Sequence, residues 1–334
     1  MKMSKALVRV YRGPLTESIH RIHLAVVNSK GSLLHEAGDP FLRTFARSTA
    51  KLIQALPVLE SGAAAHFGLS QAEIALCCAS HNGEAQHADL AQSILAKIGL
   101  SHTHLQCGVH EPYHTPTAQE MRRRGIQPTS LHNNCSGKHS GMLTLAAYLQ
   151  APVDTYMDVN HPVQKFMLEA VSDLSDVSQE EMILGTDGCG VPVFGMTIDR
   201  LAVAFARLGQ PDGLAAERAS ACRQIIDSVR KNPECLAGDD RFDTQLIRAT
   251  QGRIVGKMGA EGVFALTIPI EGIGFAVKVE DGNQRALYPA VVEALHQLSL
   301  LSAAEVAALA EFHTPVQRNW QGTEVGRIEP DFSL

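Results

Sequence analysis

Ser48 and Lys51 stand three residues apart in Ala46-Arg47-Ser48-Thr49-Ala50-Lys51, where a strand pattern gives way to a helical one. On a helix such side chains share a face, which suits a serine nucleophile beside a lysine base. A serine hydroxyl at its own pKa is a poor nucleophile, and a lysine desolvated in a cleft can be neutral near neutral pH and take its proton. The free amides of a helix start would also support an oxyanion. The spacing alone is cheap. Ser228-Val229-Arg230-Lys231 repeats it at the polar end of a helix before Pro233, where a solvated surface pair is expected.

Order and company strengthen the first pair. Ser80-His81-Asn82 closes the apolar run Ile74 to Ala79, and Lys257-Met258-Gly259 ends an apolar strand. Ser-x-x-Lys, Ser-x-Asn and Lys-x-Gly in that order are three elements of β-lactamases and penicillin-binding proteins. In that arrangement Ser80 and Lys257 would relay a proton to the leaving group while Asn82 holds the substrate. The plainer alternative makes Ser80-His81-Asn82-Gly83 a turn capping the helix from Glu84, and Lys257 a surface lysine on a strand.

A third group is Asn133-Asn134-Cys135-Ser136-Gly137-Lys138-His139-Ser140, with Asp187-Gly188-Cys189-Gly190 later. Cys135, Lys138 and His139 fall on one face at a helix start, and Gly188 and Gly190 would let Cys189 approach closely. Two thiolates and one nitrogen make a plausible zinc site. On composition His139 is the favoured nitrogen, because a lysine amine must first lose its proton to bind metal. A rival reading makes Cys135 a nucleophile with His139 as base, and the bland one leaves buried thiols beside a tight turn. His110, His114 and His132 are expected to be solvated or satisfied.

The elements that must carry these residues can be read from periodicity. Ala6 to Tyr11, Ile22 to Asn28 and a return strand from Leu33-Leu34 make an opening β-meander. Apolar residues at helical spacing follow around Leu52, Ala88, Met142, Ile198 and Ala221. Strands return at Arg253 to Lys257, Gly262 to Pro269 and Ile273 to Val279, before a closing helix from Arg285 to Leu298. The expectation is an α/β fold with a discontinuous sheet domain, residues 1–45 and 250–334, and a mostly helical lobe, residues 46–249, that carries the Ser-x-x-Lys helix and the zinc site.

Composition bounds the partners. The chain has 334 residues, 45% of them hydrophobic and 19% charged, which provides for a full core and excludes disorder. With 29 Lys+Arg against 35 Asp+Glu the net charge is −6, and no basic block extends beyond Arg122-Arg123-Arg124, so neither nucleic acid nor a membrane surface is the expected partner. Seven irregularly spaced cysteines do not form a disulfide framework. The start lacks the apolar core of a signal peptide, and a cytoplasmic protein acting on a small molecule is expected.

Together the strings Arg47-Ser48-x-x-Lys51, Ser80-His81-Asn82-Gly83-Glu84, Asn134-Cys135-Ser136-Gly137-Lys138-His139, Asp187-Gly188-Cys189-Gly190 and Lys257-Met258-Gly259-Ala260-Glu261-Gly262 resemble the rhizobial-type asparaginase II family. Glu17-Ser18-Ile19-His20, Ala237-Gly238 and Asp243-Thr244 add to the resemblance, which runs from about residue 8 to 285. It implies hydrolysis of L-asparagine to L-aspartate and ammonia by a homodimer. The implied fold is β-lactamase/glutaminase-like, a mostly antiparallel sheet flanked by helices with a helical insertion. Carried over by position, Ser48 with Lys51 and Ser80 with Lys257 become catalytic pairs. Cys135, Lys138 and Cys189 become zinc ligands, with Lys138 in place of His139 and zinc an aid to substrate binding. By motif adjacency Arg47 and Asp187, with Asn82, are the residues expected to hold the substrate. The alternatives are a Ser-x-x-Lys esterase or β-lactamase-like acyl hydrolase, and a zinc-stabilised protein that binds an amino acid without turnover. Leu300 to Leu334 carries no readable motif.

Overall fold

The computed structural model describes residues 4–334. They form two compact units, one running up to Thr49 and including Gly195–Gln210 and Gln245–Leu334, the other comprising Ala50–Phe194 and Pro211–Thr244. The strands are β1 (Leu7–Arg12), β2 (Leu15–Asn28), β3 (Leu33–Ala37), β4 (Arg43–Phe45), β5 (Ile183–Thr186), β6 (Pro192–Thr197), β7 (Val255–Gly259), β8 (Val263–Ile268), β9 (Ile273–Val279), β10 (Val316–Arg318) and β11 (Glu324–Asp331).

The first unit is built on an antiparallel sheet in the order β10-β11-β1-β2-β9-β8-β7, with β3 also paired to β2. The long β2 serves two neighbours in turn. Its outer half pairs with β1, and from Ile22 onward it pairs with β9, Ile22 opposite Val279 and Asn28 opposite Ile273. Burial follows that division: the outer half alternates, whereas Ile22 is followed by five further buried residues. Successive buried positions mean cover on both faces. The helix Ile198–Gly209 packs on β2, β8 and β9, and the helix Leu287–Gln297 on β8, β9 and β11.

The close seat of the Ile198–Gly209 helix depends on Gly274. A Cβ there would lie 2.0 Å from the Ala202 carbonyl oxygen and 2.5 Å from the Ala206 nitrogen, so only glycine lets strand and helix backbones approach this far. Packing therefore draws Gly195–Gln210 into the sheet unit, whereas the sequence reading places that helix in the 46–249 lobe. The unread C-terminal stretch contributes as well, since β11 pairs with the whole of β1, Leu7 opposite Asp331 through Arg12 opposite Gly326.

The second unit is helical. The helices Lys51–Gln54 and Leu56–Glu60, Gln71–Cys77, Ala85–Lys97, Ser136–Tyr148, Pro162–Ser175 and Ala216–Lys231 lie in it. Ser136–Tyr148 is buried from Ser136 through Ala146, the pattern of a helix enclosed by its neighbours. It crosses Gln71–Cys77 on two glycines one turn apart. A Cβ on Gly137 would lie 2.1 Å from the Leu76 carbonyl oxygen, and one on Gly141 would lie 3.0 Å from Cys77 Sγ. No helix among the described residues is long and apolar enough to cross a membrane.

Candidate active site

In the helical unit, Lys51 opens the first helix, directly after the 3₁₀ turn Arg47–Ala50. It is fully buried. Its amine donates to Ala79 O at 2.9 Å, Ser80 Oγ at 2.7 Å and Cys135 Sγ at 3.1 Å. Three polar groups surround the amine, which is what burial of a lysine requires. Thus Lys51 reaches Ser80 and Cys135, 29 and 84 residues away.

The chain holding Ser80 is fixed at every step. The Ser80 and Asn82 amides donate to Leu236 O at 3.0 Å and Ala237 O at 2.8 Å. Between them His81 Nδ1 accepts from the Gly83 amide at 3.1 Å, so its Nε2 carries the hydrogen and donates to Ser136 Oγ at 2.9 Å. The His81 ring stacks on His87 with centroids 4.7 Å apart. Burial, then the nearby charge of His87 and Lys51, pushes His81 well below its ordinary 6.5 and keeps it neutral.

The thiols form an adjoining group. The neighbouring Cys189, with the positive charges of Lys51 and Lys138, holds the Cys135 thiol well below its ordinary 9.0 in spite of burial, and the Cys189 thiol itself donates to Asp187 Oδ2 at 3.8 Å. Its neighbour Cys135 pushes Cys189 upward, as does burial. Lys138 Nζ lies 3.0 Å from Cys189 Sγ and 3.8 Å from Asp187 Oδ2. Burial alone would lower its pKa, but Cys135, Cys189 and Asp187 outweigh that and raise it. Asp187 and Cys189 occupy the turn between β5 and β6, closed by Asp187 N donating to Val191 O at 2.9 Å, with Gly190 at φ +91°. Hence Cys135, Lys138, Cys189 and Asp187 come together, and Cys135 links them to Lys51 and Ser80. His139, the nitrogen favoured on composition, instead accepts from the Tyr156 hydroxyl at 2.6 Å through Nδ1. That hydroxyl is oriented by accepting from the Gln106 amide at 2.9 Å.

The sheet unit carries its own group. β4 pairs with Gly195–Thr197 and delivers the chain into the turn holding Ser48. Arg47 takes φ +49°, a left-handed conformation uncommon for a residue with a side chain. The end of β7 lies against this turn: a Cβ on Gly259 would be 3.0 Å from Ala46 O and 3.3 Å from Arg47 Cβ. Lys257, two residues earlier, is fully buried rather than on the surface, and donates to Met258 O at 2.9 Å.

Two residues that the sequence reading passed over meet Asn82. Its Nδ2 donates to Asp240 Oδ1 at 2.6 Å, and its Oδ1 accepts from Arg241 Nη1 at 2.8 Å. The sequence signal for them is the charged run Asp239-Asp240-Arg241 immediately after Ala237-Gly238. Among the described residues no group of three or more His, Cys, Asp or Glu side chains is placed to hold a metal ion. The expected zinc set differs in taking a lysine as its third member.

An antiparallel sheet covered by helices, with a helical unit carrying buried serine, lysine and thiol groups, defines a mixed α/β protein. The chain belongs to the L-asparaginase II family, whose model it matches over residues 8–330, which places it among asparaginase-like hydrolases. Among solved structures it is similar to Mglu, at 16% identity and TM-score 0.40 over 84% of this chain and 67% of that one. It is also similar to a beta-lactamase from Mycobacterium bovis (16% identity, TM-score 0.41, 87% of this chain and 95% of that one). A beta-lactamase from Sphaerobacter thermophilus compares at 15% identity and TM-score 0.41, over 85% of this chain and 93% of that one. The chain spans 67%, 61% and 66% of the first three Mglu chains. A comparison with curated proteins found no match.

Proposed function

We propose that this chain hydrolyses L-asparagine to L-aspartate and ammonia, as a cytoplasmic homodimer. The observation that carries the reading is the family match over residues 8–330, a span that includes every motif residue named above. In this reading Ser48 Oγ attacks the side-chain amide carbon while neutral Lys51 takes its proton. Ammonia leaves with a proton returned through Ser80 and Lys257, and a β-aspartyl ester remains on Ser48. Water then adds to the ester carbon, releasing L-aspartate and restoring the serine hydroxyl. The hydrogen bond from Lys51 to Ser80 supports this, because it gives the proposed base a hydroxyl through which a proton can pass. Arg47, Asn82 and Asp187 are the residues proposed to hold the substrate.

A zinc ion fits the chemistry of Cys135, Lys138 and Cys189, two buried thiols with a lysine amine 3.0 Å from one of them. Bound there, zinc would supply a fixed positive charge that aids substrate binding. Lys138 would have to give up its proton, and the ion would tie the start of the Ser136–Tyr148 helix to the Asp187–Gly190 turn. About one zinc per chain is expected by elemental analysis. Chelation is expected to raise KM more than it lowers kcat, since nucleophile and base are supplied by serine and lysine. A fall confined to kcat would make the metal the catalyst.

The function itself is tested by ammonia release from L-asparagine, L-glutamine and other amides. Turnover of L-asparagine is expected to climb as pH rises through neutrality, because a lysine acts as a base only in its neutral form. Hydrolysis of nitrocefin without ammonia release from any amino-acid amide would overturn the reading in favour of a β-lactamase-like enzyme.

A further inference from the structure

Asn82 is buried, and the Gly238–Arg241 turn lies directly on it. The contact needs glycine: Gly238 sits at φ +133°, and a Cβ there would fall 2.4 Å from Asn82 Nδ2 and 2.6 Å from Glu84 Oε1. The turn closes through Arg241 N donating to Gly238 O at 3.2 Å. It presents a cation and an anion that are sequence neighbours, each held by the opposite end of one side-chain amide. The amide's polarity fixes the order, since its NH₂ can only donate to the carboxylate and its oxygen can only accept from the guanidinium. Among the described residues neither charge is answered by an ion pair, so Asp240 Oδ2 and most of the Arg241 donors remain for a ligand. Behind Asn82, Glu84 Oε1 is buried without a hydrogen-bond partner among the described residues, which adds negative charge to the same corner.

The corner adjoins Ser80. The Ser80 and Asn82 amides both bond to the Leu236–Ala237 segment, which runs directly into the Gly238–Arg241 turn. We propose that Arg241 and Asp240 are specificity residues that receive the α-carboxylate and the α-ammonium of the substrate, which restricts it to amides of free α-amino acids. The proposal rests on the amidohydrolase reading above and names what selects its substrate. A substrate whose two charges are a fixed short distance apart is matched by two opposite charges that cannot collapse onto each other, and the Asn82 amide keeps them apart.

The experiment compares L-asparagine with 3-aminopropanamide, which lacks the α-carboxylate, and succinamate, which lacks the α-ammonium. Arg241→Ala is expected to lower kcat/KM for L-asparagine about ten- to a hundredfold, mainly through KM, and to leave 3-aminopropanamide unchanged. Asp240→Asn should do the same for L-asparagine while leaving succinamate unchanged, and Arg241→Lys should recover part of the loss. Equal losses on L-asparagine and on the matching truncated amide would overturn the proposal. Circular dichroism checks folding, and if Arg241→Ala does not fold, Arg241→Lys and Asp240→Asn decide. If the wild-type protein releases no ammonia from any amide, the amidohydrolase reading fails. Calorimetric binding of L-aspartate, which carries both groups, then tests the pair alone: loss of binding in the two variants supports it, and no binding to wild type, or binding unchanged in both variants, overturns it.

Discussion

Two segments share the Ser-x-x-Lys spacing and differ in which member is buried. Lys51 is fully buried and bonded to a carbonyl, a hydroxyl and a thiol. Lys231 is exposed in the last turn of Ala216–Lys231, where a positive charge faces the free carbonyls of the helix end. Ser228 departs from the expected solvated pair, being 1% exposed. It is buried where its helix packs on Gln71–Cys77 and Leu56–Glu60. Identical spacing therefore has opposite results. A buried lysine demands acceptors within reach, and the acceptors it gathers create the chemistry; an exposed lysine gathers none.

Truncating both serines should give the largest contrast between the two segments. Ser48→Ala is expected to lower ammonia release from L-asparagine about a thousandfold or more. Ser228→Ala should change turnover by less than about twofold, its effect being confined to packing. If Ser48→Ala kept activity within about tenfold of wild type, a loss of only about 1.4 kcal/mol, Ser48 would not be the nucleophile.

The backbone that supports each segment also differs in tolerance. Cys135, the sulfur acceptor of Lys51, immediately precedes a helix whose crossing depends on Gly137, where a methyl would meet Leu76 O. Gly137→Ala is expected to destabilise the protein by about 3 kcal/mol or more in chemical denaturation. Gly213 precedes the helix bearing Ser228, at φ +93° with open space where a Cβ would go. Gly213→Ala should cost about 1 kcal/mol, the conformational part alone. Equal effects would mean that the two segments rest on equally tolerant supports.

What could be read in advance follows the range of the interactions. β9 occupies Ile273–Val279, the run marked by its β-branched and apolar residues, and the apolar helical patterns at Ala88, Met142 and Ala221 all lie in helices. β11 escaped because Gly326 and Ile328 alone among its residues are buried, so the backbone ladder to β1 holds it rather than apolar side chains. The Ile198–Gly209 helix was legible as a helix but not as part of the sheet unit, because its seat depends on Gly274, 65 or more residues away in the chain. In the site, motif residues at local spacing were visible and their partners were not. Nothing near Lys51 in sequence announces Ser80 or Cys135. Choosing between Lys138 and His139 turns on Tyr156, whose hydroxyl engages the histidine from outside the motif.

The smallest effect separates the two segments by acid sensitivity. Around Lys51 the histidines are kept neutral: burial first, then Lys138 and Lys51, pushes His139 well below its ordinary 6.5, as burial, His87 and Lys51 do for His81. A pKa lowered on folding means that the unfolded chain binds more protons below 6.5. Stability from these groups is fully present above that pH and is lost as the pH falls toward the folded-state value. Each such histidine contributes a slope of about 1.4 kcal/mol per pH unit in that window. Thermal unfolding should therefore show a constant Tm from about pH 8 to 7 and a decline below about 6.5. His81→Gln should lower Tm at pH 8, since it disturbs the bonds to Gly83 and Ser136, yet shallow the decline because one protonation is removed. Lys231→Ala, at the exposed segment, should leave the slope as it was. A wild-type Tm indifferent to pH between 7.5 and 5.5 would show that these histidines are free to charge in the folded protein.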